Sequence, residues 1–392
     1  MLKEFYESFT LFIEDSKKNI LKILDLIKND RNIELFNSYQ DYIISFGNVL
    51  EIKYGFEGNE IIHRLEDYCE WIYEIGKGQA KVDEDAMRDK IISIIDDIYL
   101  TKSERECHTS IVLIAKDEDE DIEEWLEYHM LMGIEHFYIY DNDSKDSFKK
   151  VLEPYIKEGI VTYKWFPGPL MQLEAYNHAI TNYKHDTRYM AFIDADEFIV
   201  SMDGRSIPEL VEEIINDYEN GTYKIPGSAA GIGLNWRNYG TSGYEDRPQG
   251  LLTSTHVMRT RDDNEVNCHI KVICNPRAGA HFDYTPHNCL YDKGYYTISE
   301  NGSYIPNAFF FDSRCDKLRI NHYYMKSASE FYAKLKRGWP IWKQEDPTDE
   351  WIDQMYRGRV DECNQVEDSI LVKYADQIQE RINMRRGAIE ED

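Results

Sequence analysis

Between residues 109 and 200 the chain alternates short apolar runs with stretches that have helical spacing. The apolar runs are SIVLIA, HFYIY, IVTYKW and YMAFID. The intervening stretches include EDIEEWLEYHMLMG, whose apolar residues recur with the period of an amphipathic helix. Strands that alternate with crossover helices pair in parallel. The sequence therefore predicts an α/β fold with a mostly parallel, doubly wound sheet.

In the segments on either side of this alternation, the apolar residues have the spacing of helices. Residues 1–103 contain runs such as NILKILDLIKNDRNIELFNSY and no Pro, which predicts a separate helical N-terminal domain. Residues 104–325 would form the α/β domain, and residues 326–392 a helical C-terminal segment. The N-terminal region is long enough to own a core and to mediate oligomer formation or recruit a partner enzyme. The alternative is that it only stabilises the rest of the chain.

Charge and composition exclude several classes of partner. A formal net charge of −28 argues against nucleic acid and anionic membranes, because both are bound by clustered Lys and Arg. The first twenty residues carry too many charges for a signal peptide, and no long uncharged apolar run suggests an integral membrane segment. We therefore expect a cytoplasmic protein. The 7 cysteines include no C-x-x-C pair, which argues against a zinc site or a disulfide framework.

Polar residues follow the predicted strands where a ligand crevice is expected. Ligands of open parallel sheets bind beyond the carboxyl ends of the strands. The polar residues at three of these ends are Lys116, Asp117 and Glu118; Asp141, Asn142 and Asp143; and Asp194, Asp196 and Glu197. The last group lies in AFIDADEFIV, where the carboxylates interrupt an apolar run.

These carboxylates predict a divalent cation. The sequence has neither the G-x-G-x-x-G fingerprint of a dinucleotide site nor a P-loop, so a bound phosphate must be held in another way. Mg²⁺ and Mn²⁺ prefer oxygen ligands and can bridge carboxylates to a diphosphate. The alternative is that the carboxylates cap a helix or solvate a loop. Asp194, Asp196 and Glu197 would then repel one another unless a cation or a basic side chain compensated them.

Residues 108–340 resemble glycosyltransferases of family 92 and related bacterial family-2-like enzymes, which have a GT-A fold. The resemblance rests on IVLIAKDEDEDIEEWLEYHMLMGIEHFYIYDNDSKD, QLEAYNHAI and YMAFIDADEFIV, in that order. The later segments NWRNYGTSGYEDRP, IKVICNPRAGAHFDYTPH and RINHYYMKSASEFYAKLKRG are also similar. The resemblance implies a transferase that uses Mn²⁺ or Mg²⁺ to move a sugar from a nucleotide-diphosphate donor, with a UDP-sugar favoured, to a hydroxyl of a glycan acceptor.

The resemblance also assigns residues to the donor site. Asp194 and Asp196 become the D-x-D pair, with Asp196 the direct metal ligand and Asp194 nearer the donor ribose or a metal-bound water. Glu197 is implied to contact these aspartates and not the metal. Further residues implied at the donor are Lys116, Glu118, Asp141, Asn142, Gln172, Asn177 and His287. The chain has Asp117 where the family more often has Asn.

Histidines in this sequence have alternative interpretations. His322 follows an apolar segment, and GT-A enzymes often complete their metal shell with a late histidine, which suits Mn²⁺. His281 and His287 lie in a turn-rich loop and would contact diphosphate or acceptor, or else pack. For His129 and His136 a structural role is the better prediction.

We favour an inverting transfer, which needs a carboxylate base for the acceptor hydroxyl, whereas a retaining enzyme would not need this base. Glu245 and Asp246 in GTSGYEDRP are the candidates, and a solvated turn is the alternative. We expect the enzyme to act in surface polysaccharide biosynthesis. The alternatives are a nucleotide-sugar-processing enzyme of the same fold and a non-catalytic GT-A scaffold. Nucleotide-sugar-processing enzymes favour a Gly-rich, basic first loop, whereas AKDEDED is acidic.

Overall fold

A computed structural model describes most of the chain. The described residues are 2–30, 33–54, 65, 107–184, 186–222, 227–312, 314–337 and 347–390. The chain divides into two compact units. One contains residues 1–108 and 183–188, and the other contains residues 109–182 and 189–392.

In the first unit, the described N-terminal residues form two helices, α1 (Leu2–Asp30) and α2 (Ile33–Tyr54). They pack through apolar side chains, with the rings of Phe12 and Phe46 stacked at 5.6 Å between centroids. Both helices lie in the region that the sequence predicts to be helical. Apart from Leu65, the predicted helices between residues 55 and 103 lie outside the described residues.

The elements that follow alternate as predicted up to residue 192. They are β1 (Cys107–Ala115), α3 (Ile122–Leu131), β2 (His136–Asp141), α4 (Phe148–Lys157), β3 (Val161–Trp165), α5 (Gln172–Tyr183) and β4 (Thr187–Phe192). The later elements are β5 (Glu197–Ser201), α6 (Ile207–Asp217), β6 (Ser228–Asn238), α7 (Leu252–Thr255), β7 (Met258–Arg259), β8 (Ile270–Cys274), β9 (Tyr295–Ile298), β10 (Tyr304–Ile305), β11 (Leu318–His322), α8 (Ala328–Arg337), α9 (Asp349–Val360), β12 (Val366–Glu367) and α10 (Ala375–Glu390). None of the helices in the described ranges is long and apolar enough to span a membrane.

The main sheet is mixed, and helices complete the predicted α/β class. Its longest path runs β10-β9-β6-β8-β4-β1-β2-β3. Strands β1, β2 and β3 pair in parallel, as predicted. Strand β8 pairs antiparallel with both β4 and β6, whereas β6 pairs in parallel with β9 and β11, so the part built after residue 200 is mixed.

The strand order places the expected ligand crevice at the carboxyl ends of β1 and β4. Strand β2 lies on one side of β1 and β4 on the other, which is the switch point where ligands bind in such sheets. The parallel register aligns Ala115 with Asp141, so the loops after β1 and β2 leave the sheet side by side. The loop after β4 carries Asp194 and Asp196 to the same edge.

Strand β11 joins this edge from a distant part of the sequence. It pairs antiparallel with β5 and in parallel with β6, and His322 lies opposite both Glu197 and Asn238. The amide of Tyr323 donates to the carbonyl of Asp196 at 2.8 Å. This pairing fixes the last residue of β11 beside the first residue of β5.

Helix α3 packs on β5 and explains one of the histidines. The indole of Trp125 donates to the carbonyl of Glu197 at 2.8 Å, and the hydroxyl of Tyr128 donates to Ile199 at 3.0 Å. The His129 Nε2 accepts the amide of Ile199 at 3.2 Å, and burial lowers the pKa of His129 to about 3. A neutral imidazole is suited to accept this bond, which fits the predicted structural role of His129.

Candidate active site

The two aspartates of the D-x-D segment lie in a tight turn between β4 and β5. The amide of Asp194 donates to Glu197 Oε2 at 2.9 Å, and the amide of Glu197 donates to the carbonyl of Asp194 at 3.1 Å. The turn gives Asp194 and Asp196 different neighbours. Asp194 pairs with Lys271 and Asp196 pairs with Lys334. These two ammonium groups compensate the repulsion between carboxylates that the sequence leads us to expect.

Asp194, whose side chain is 35% exposed, pairs with the buried Lys271 of β8. The ammonium of Lys271 lies 2.8 Å from Asp194 Oδ2 and 3.3 Å from Glu197 Oε2. The second Asp194 oxygen accepts from Gln172 Nε2 at 2.8 Å. Burial raises the pKa of Glu197 to about 7, and Asp194 adds to this rise while Lys271 opposes it. Glu197 therefore supports Asp194 from inside the protein.

Asp196 contacts residues from β11 and α8. Its Oδ2 lies 3.5 Å from His322 Nε2 and 2.5 Å from the ammonium of Lys334. Burial alone would raise the pKa of Asp196, but Lys334 and His322 hold it well below its usual range. Asp196 is therefore an anion that needs a positive partner.

Helix α8 is held firmly at its first turn. The Ser327 hydroxyl donates to Glu330 Oε2 at 2.5 Å and accepts the Glu330 amide at 3.4 Å, and the Ser327 amide also donates to that carboxylate. This reciprocal arrangement is a capping box, which stabilises a helix start. Arg247 donates to Glu330 at 2.6 Å from the loop after β6. The capped start brings Lys334 to Asp196 two turns later.

A second buried ionic cluster lies behind the first loop. The ammonium of Lys326 is 3.0 Å from Glu118 and 2.6 Å from Asp121, and Arg247 also pairs with Asp121. Burial raises the pKa of Asp121, but Lys326 and Arg247 bring it down to about 2. Glu118, predicted at the donor, is thus held by Lys326.

The other residues predicted around the nucleoside cluster at the ends of β1 and β2. Lys116 is half-buried in the loop after β1. Asp141 accepts from the Tyr163 hydroxyl at 2.7 Å and from the Ser144 amide at 2.8 Å. The Asn142 amide group donates to the carbonyls of Phe166 and Gly168, both at 2.9 Å. Asp141 and Asn142 therefore order these loops through their side chains.

Gln172 and Asn177 line one cavity on α5. The cavity has a volume of about 320 Å³ and is lined by Leu170, Gln172, Leu173, Glu174, Asn177, Phe282 and Asp283. Asn177 holds the backbone of Phe282 through two hydrogen bonds of 2.7 Å. The buried Gln172 Oε1 has no hydrogen-bond partner among the described residues. The cavity therefore adjoins Asp194 through Gln172.

An aromatic cluster surrounds His322. The ring of Trp236 lies 4.4 Å from that of His322 and 5.1 Å from that of His287, measured between centroids. His287 Nδ1 bonds to the carbonyl of Ile270 at 3.0 Å, and burial and the nearby Lys271 lower the pKa of His287 to about 3. His281 is exposed and bonds to its own loop at Gly279. His287 thus packs near the site, whereas the contact of His281 is local.

The two candidate bases lie in an exposed loop after β6. Glu245 and Asp246 are both exposed. The carbonyl of Glu245 accepts the amide of Ser329 at 2.9 Å, which ties this loop to the start of α8. Helix α8, which carries Lys334, is therefore attached to the loop of Glu245 and Asp246.

The residues present fit a divalent cation on two protein ligands. Among the described residues, no three His, Cys, Asp or Glu side chains converge as a metal cluster. Asp196 and His322 do converge, and Mg²⁺ sites typically use one or two protein ligands together with waters and substrate phosphates. Asp194, which the sequence groups with this pair, is committed to Lys271 and Gln172.

Sequence reasoning missed the four basic residues of this edge, which are Lys271, Lys326, Lys334 and Arg247. Lys271 lies in the buried strand IKVIC, where a lone lysine signals a buried carboxylate partner. Lys334 lies in α8, seven residues after the Ser327 that caps the helix. Lys326 and Arg247 lie near other charged residues in the sequence, and nothing in the local pattern marks them as part of the site.

Comparison with known proteins identifies the family. The sequence profile of glycosyltransferase family 92 matches residues 113–309, which is half of the chain. The chain belongs to glycosyltransferase family 92. This confirms the family 92 resemblance drawn from the D-A-D-E-F strand end and the segments before it.

Curated relatives in plants carry the same family name. A family 92 protein of Ricinus communis is 25% identical over 160 residues, which cover 40% of this chain and 27% of that protein. One of Arabidopsis thaliana is 26% identical over 143 residues, covering 35% of this chain and 24% of that protein. The chain therefore matches about a quarter of the length of these relatives.

Two solved structures show weak similarity. S. aureus TarS 1-349 in complex with UDP is 12% identical, with a TM-score of 0.31 over 49% of this chain and 61% of that chain. Glucosyl-3-phosphoglycerate synthase from Mycobacterium tuberculosis, in complex with Mn²⁺ and UDP, is 19% identical, with a TM-score of 0.22 over 35% and 46%. These scores are too low to define a common fold.

Proposed function

We propose that the protein is a metal-dependent glycosyltransferase. It transfers a sugar from a nucleotide-diphosphate donor, with a UDP-sugar favoured, to a hydroxyl of a glycan acceptor. Membership of family 92 supports the reaction class. The observation that carries the proposal is the pair of Asp196 and His322, which lie 3.5 Å apart at the end of the central strands. We place the reaction in the cytoplasm, in surface polysaccharide biosynthesis.

The proposed roles follow from the contacts. Asp196 and His322 would hold Mn²⁺ or Mg²⁺, and the cation supplies positive charge to the departing diphosphate. Asp194 accepts a hydrogen bond from Gln172, which lines the cavity, and would bind the ribose or sugar of the donor. Lys116, Glu118, Asp141 and Asn142 shape the loops around the nucleoside. Asn177 and His287 would support the donor from the Phe282 loop and the Trp236 cluster.

We propose an inverting transfer with Glu245 or Asp246 as the base. The exposure of both carboxylates leaves them accessible to an acceptor hydroxyl. An inverting displacement needs a base on the face of the sugar opposite the leaving group. Glu245→Gln and Asp246→Asn are matched variants, and the base is the residue whose amide variant loses transfer but keeps donor binding. Equal turnover in both variants and the wild type would contradict the assignment.

The reaction class is tested by release of nucleoside diphosphate. The purified protein is incubated with a panel of UDP- and GDP-sugars, with and without Mn²⁺, and the donor that binds is identified first by thermal shift. We expect slow hydrolysis of one donor that requires Mn²⁺ and that Asp196→Asn abolishes. A protein that binds no donor, or hydrolyses it equally well in a chelator, would contradict the proposal.

We also propose that residues 1–103 are a separate helical domain for oligomer formation or recruitment of a partner enzyme. The described helices α1 and α2 bury their own apolar face, including Ile20, Ile43 and Leu50. A chain that begins at residue 104 should bind the donor as tightly as the full chain. A loss of about tenfold in donor affinity would place this region in the donor site.

A further inference from the structure

One oxygen of Asp196 has two positive partners close to it. Oδ2 accepts from the ammonium of Lys334 at 2.5 Å and lies 3.5 Å from His322 Nε2. This is the oxygen that a cation held between Asp196 and His322 would contact. Lys334 and such a cation therefore compete for the same position.

Lys334 is held less firmly than Lys271, the lysine that pairs with Asp194. The side chain of Lys334 is 28% exposed; within the described residues its one ion pair is with Asp196, and its ammonium also donates to the carbonyl of Tyr324 at 3.2 Å. Lys271 is 1% exposed and pairs with two carboxylates. If another cation replaces Lys334, the buried Asp196 keeps a positive partner, whereas loss of Lys271 would leave two carboxylates without the cation they share. Of the two, only Lys334 can exchange its partner at low cost.

The site also needs a positive charge near the donor phosphates. The diphosphate of a nucleotide sugar is an anion, and lysine binds phosphate as a mobile point charge. Lys334 is anchored through the capped first turn of α8, so its ammonium moves by side-chain rotation alone. Its ammonium lies over the Tyr324 ring, 5.0 Å from the ring centroid.

We propose that Lys334 is an exchangeable counterion of the donor site. With no donor bound, its ammonium neutralises Asp196. When the donor binds with a divalent cation, Lys334 leaves Asp196 and donates to the diphosphate, and the cation takes its place on Asp196. Both anions then have a positive partner throughout. The proposal rests on the proposed function, because it requires a cation and a diphosphate at this edge.

The exchange makes an unusual prediction, which is that removing a lysine improves metal binding. In Lys334→Met the stem is kept and the charge is lost. We expect Mn²⁺ binding without nucleotide, measured by the EPR signal of free Mn²⁺, to be about 10-fold tighter than in the wild type. Binding of UDP in the presence of Mn²⁺ should become about 10-fold weaker, because the phosphate contact is missing.

The matched control is Lys336→Met on the same helix. Lys336 is 59% exposed and pairs with Asp349, away from Asp196. This variant should bind Mn²⁺ and UDP as the wild type does. Lys334→Gln serves as a second variant, and thermal unfolding confirms that each variant is folded.

The outcomes separate the two proposals. If the wild type binds Mn²⁺ but both Lys334 variants bind it no more tightly, the exchange is overturned and the proposed metal site stands. If Lys336→Met changes Mn²⁺ binding as much as Lys334→Met, the effect is one of overall charge and the exchange is also overturned. If the wild type binds no Mn²⁺ with or without UDP, the metal-dependent function fails as well.

Discussion

The two sides of the D-x-D turn differ in how their charges are balanced. On the Asp194 side, Lys271 and Glu197 are wholly buried, and one ammonium serves two carboxylates. On the Asp196 side, Lys334 reaches in from a neighbouring helix and is partly exposed. The first arrangement is a fixed structural network, and the second can be rearranged by a ligand. Because they are two residues apart, Asp194, whose ion pair is fixed, and Asp196, whose cation can be exchanged, lie at the same edge of the sheet.

This difference explains why the two aspartates are not equivalent. Asp194 cannot turn towards His322 without leaving Lys271 with only the one carboxylate of Glu197, whose pKa is raised to about 7 by burial. Asp196 only has to release Lys334. A metal requirement for the protein would therefore depend on Asp196, and the integrity of the turn would depend on Asp194 and Lys271.

The largest expected effect is on stability, from Lys271→Met. Removing one partner of a buried ion pair costs about 3–5 kcal/mol, because the remaining charge stays buried. The free energy of unfolding from urea titration should fall by this amount. Lys334→Met is the matched comparison on the other side of the turn, and should lose less than Lys271→Met, because Lys334 is partly exposed and His322 still lies beside Asp196. Equal losses in the two variants would remove the distinction between a fixed and an exchangeable side.

The next effect concerns the buried cluster of Asp121, Lys326 and Arg247, which we expect to behave like the Lys271 side. The folded pKa of Asp121 is about 2, below the ordinary 3.8. The stabilisation is therefore fully present above pH 3.8 and is lost as the pH falls towards 2. Asp121→Asn should lower the free energy of unfolding by about 2 kcal/mol at pH 7, and by about 1 kcal/mol less at pH 3.

The control for this variant is Asp263→Asn. Asp263 is 73% exposed and pairs with Arg261 on the surface. Its removal should change the free energy of unfolding by less than about 0.5 kcal/mol at either pH. A loss for Asp121→Asn that is the same at pH 7 and pH 3 would show that packing, and not the ion pairs, is responsible.

The smallest expected effect is on metal affinity, from His322→Ala. Losing one of two protein ligands should raise the Mn²⁺ midpoint for donor hydrolysis by a factor of about 10. The measurement is a Mn²⁺ titration at saturating donor, with His281→Ala as the control because the His281 ring is exposed and bonds to Gly279 in its own loop. An unchanged midpoint in His322→Ala would assign this histidine to the aromatic cluster around Trp236.

The strand alternation and the D-x-D position could be predicted from the sequence because both depend on local pattern. The period of the apolar residues defines β1 to β4, and the order of strands and helices predicts the parallel pairing of β1, β2 and β3. The antiparallel insertion of β8 could not be predicted, because long-range pairing leaves no periodic signal. Lys271 enters the site through this strand.

The local sequence pattern also cannot predict that Asp196, His322 and Lys334 come together. His322 was proposed from a family resemblance, and its position depends on the register of β11 against β5. Lys334 depends on that register and on the start of α8 at Ser327. The sequence could indicate that three carboxylates need compensation, but not that lysines from two distant elements supply it.

The central claim is that Asp196, and not Asp194, holds the cation. The most direct test measures Mn²⁺ binding by EPR, at saturating UDP, in the matched variants Asp196→Asn and Asp194→Asn. The account predicts that Asp196→Asn weakens Mn²⁺ binding by at least about 10-fold, while Asp194→Asn stays within about 3-fold of the wild type. An equal or larger loss in Asp194→Asn, or unchanged binding in Asp196→Asn, would contradict the account.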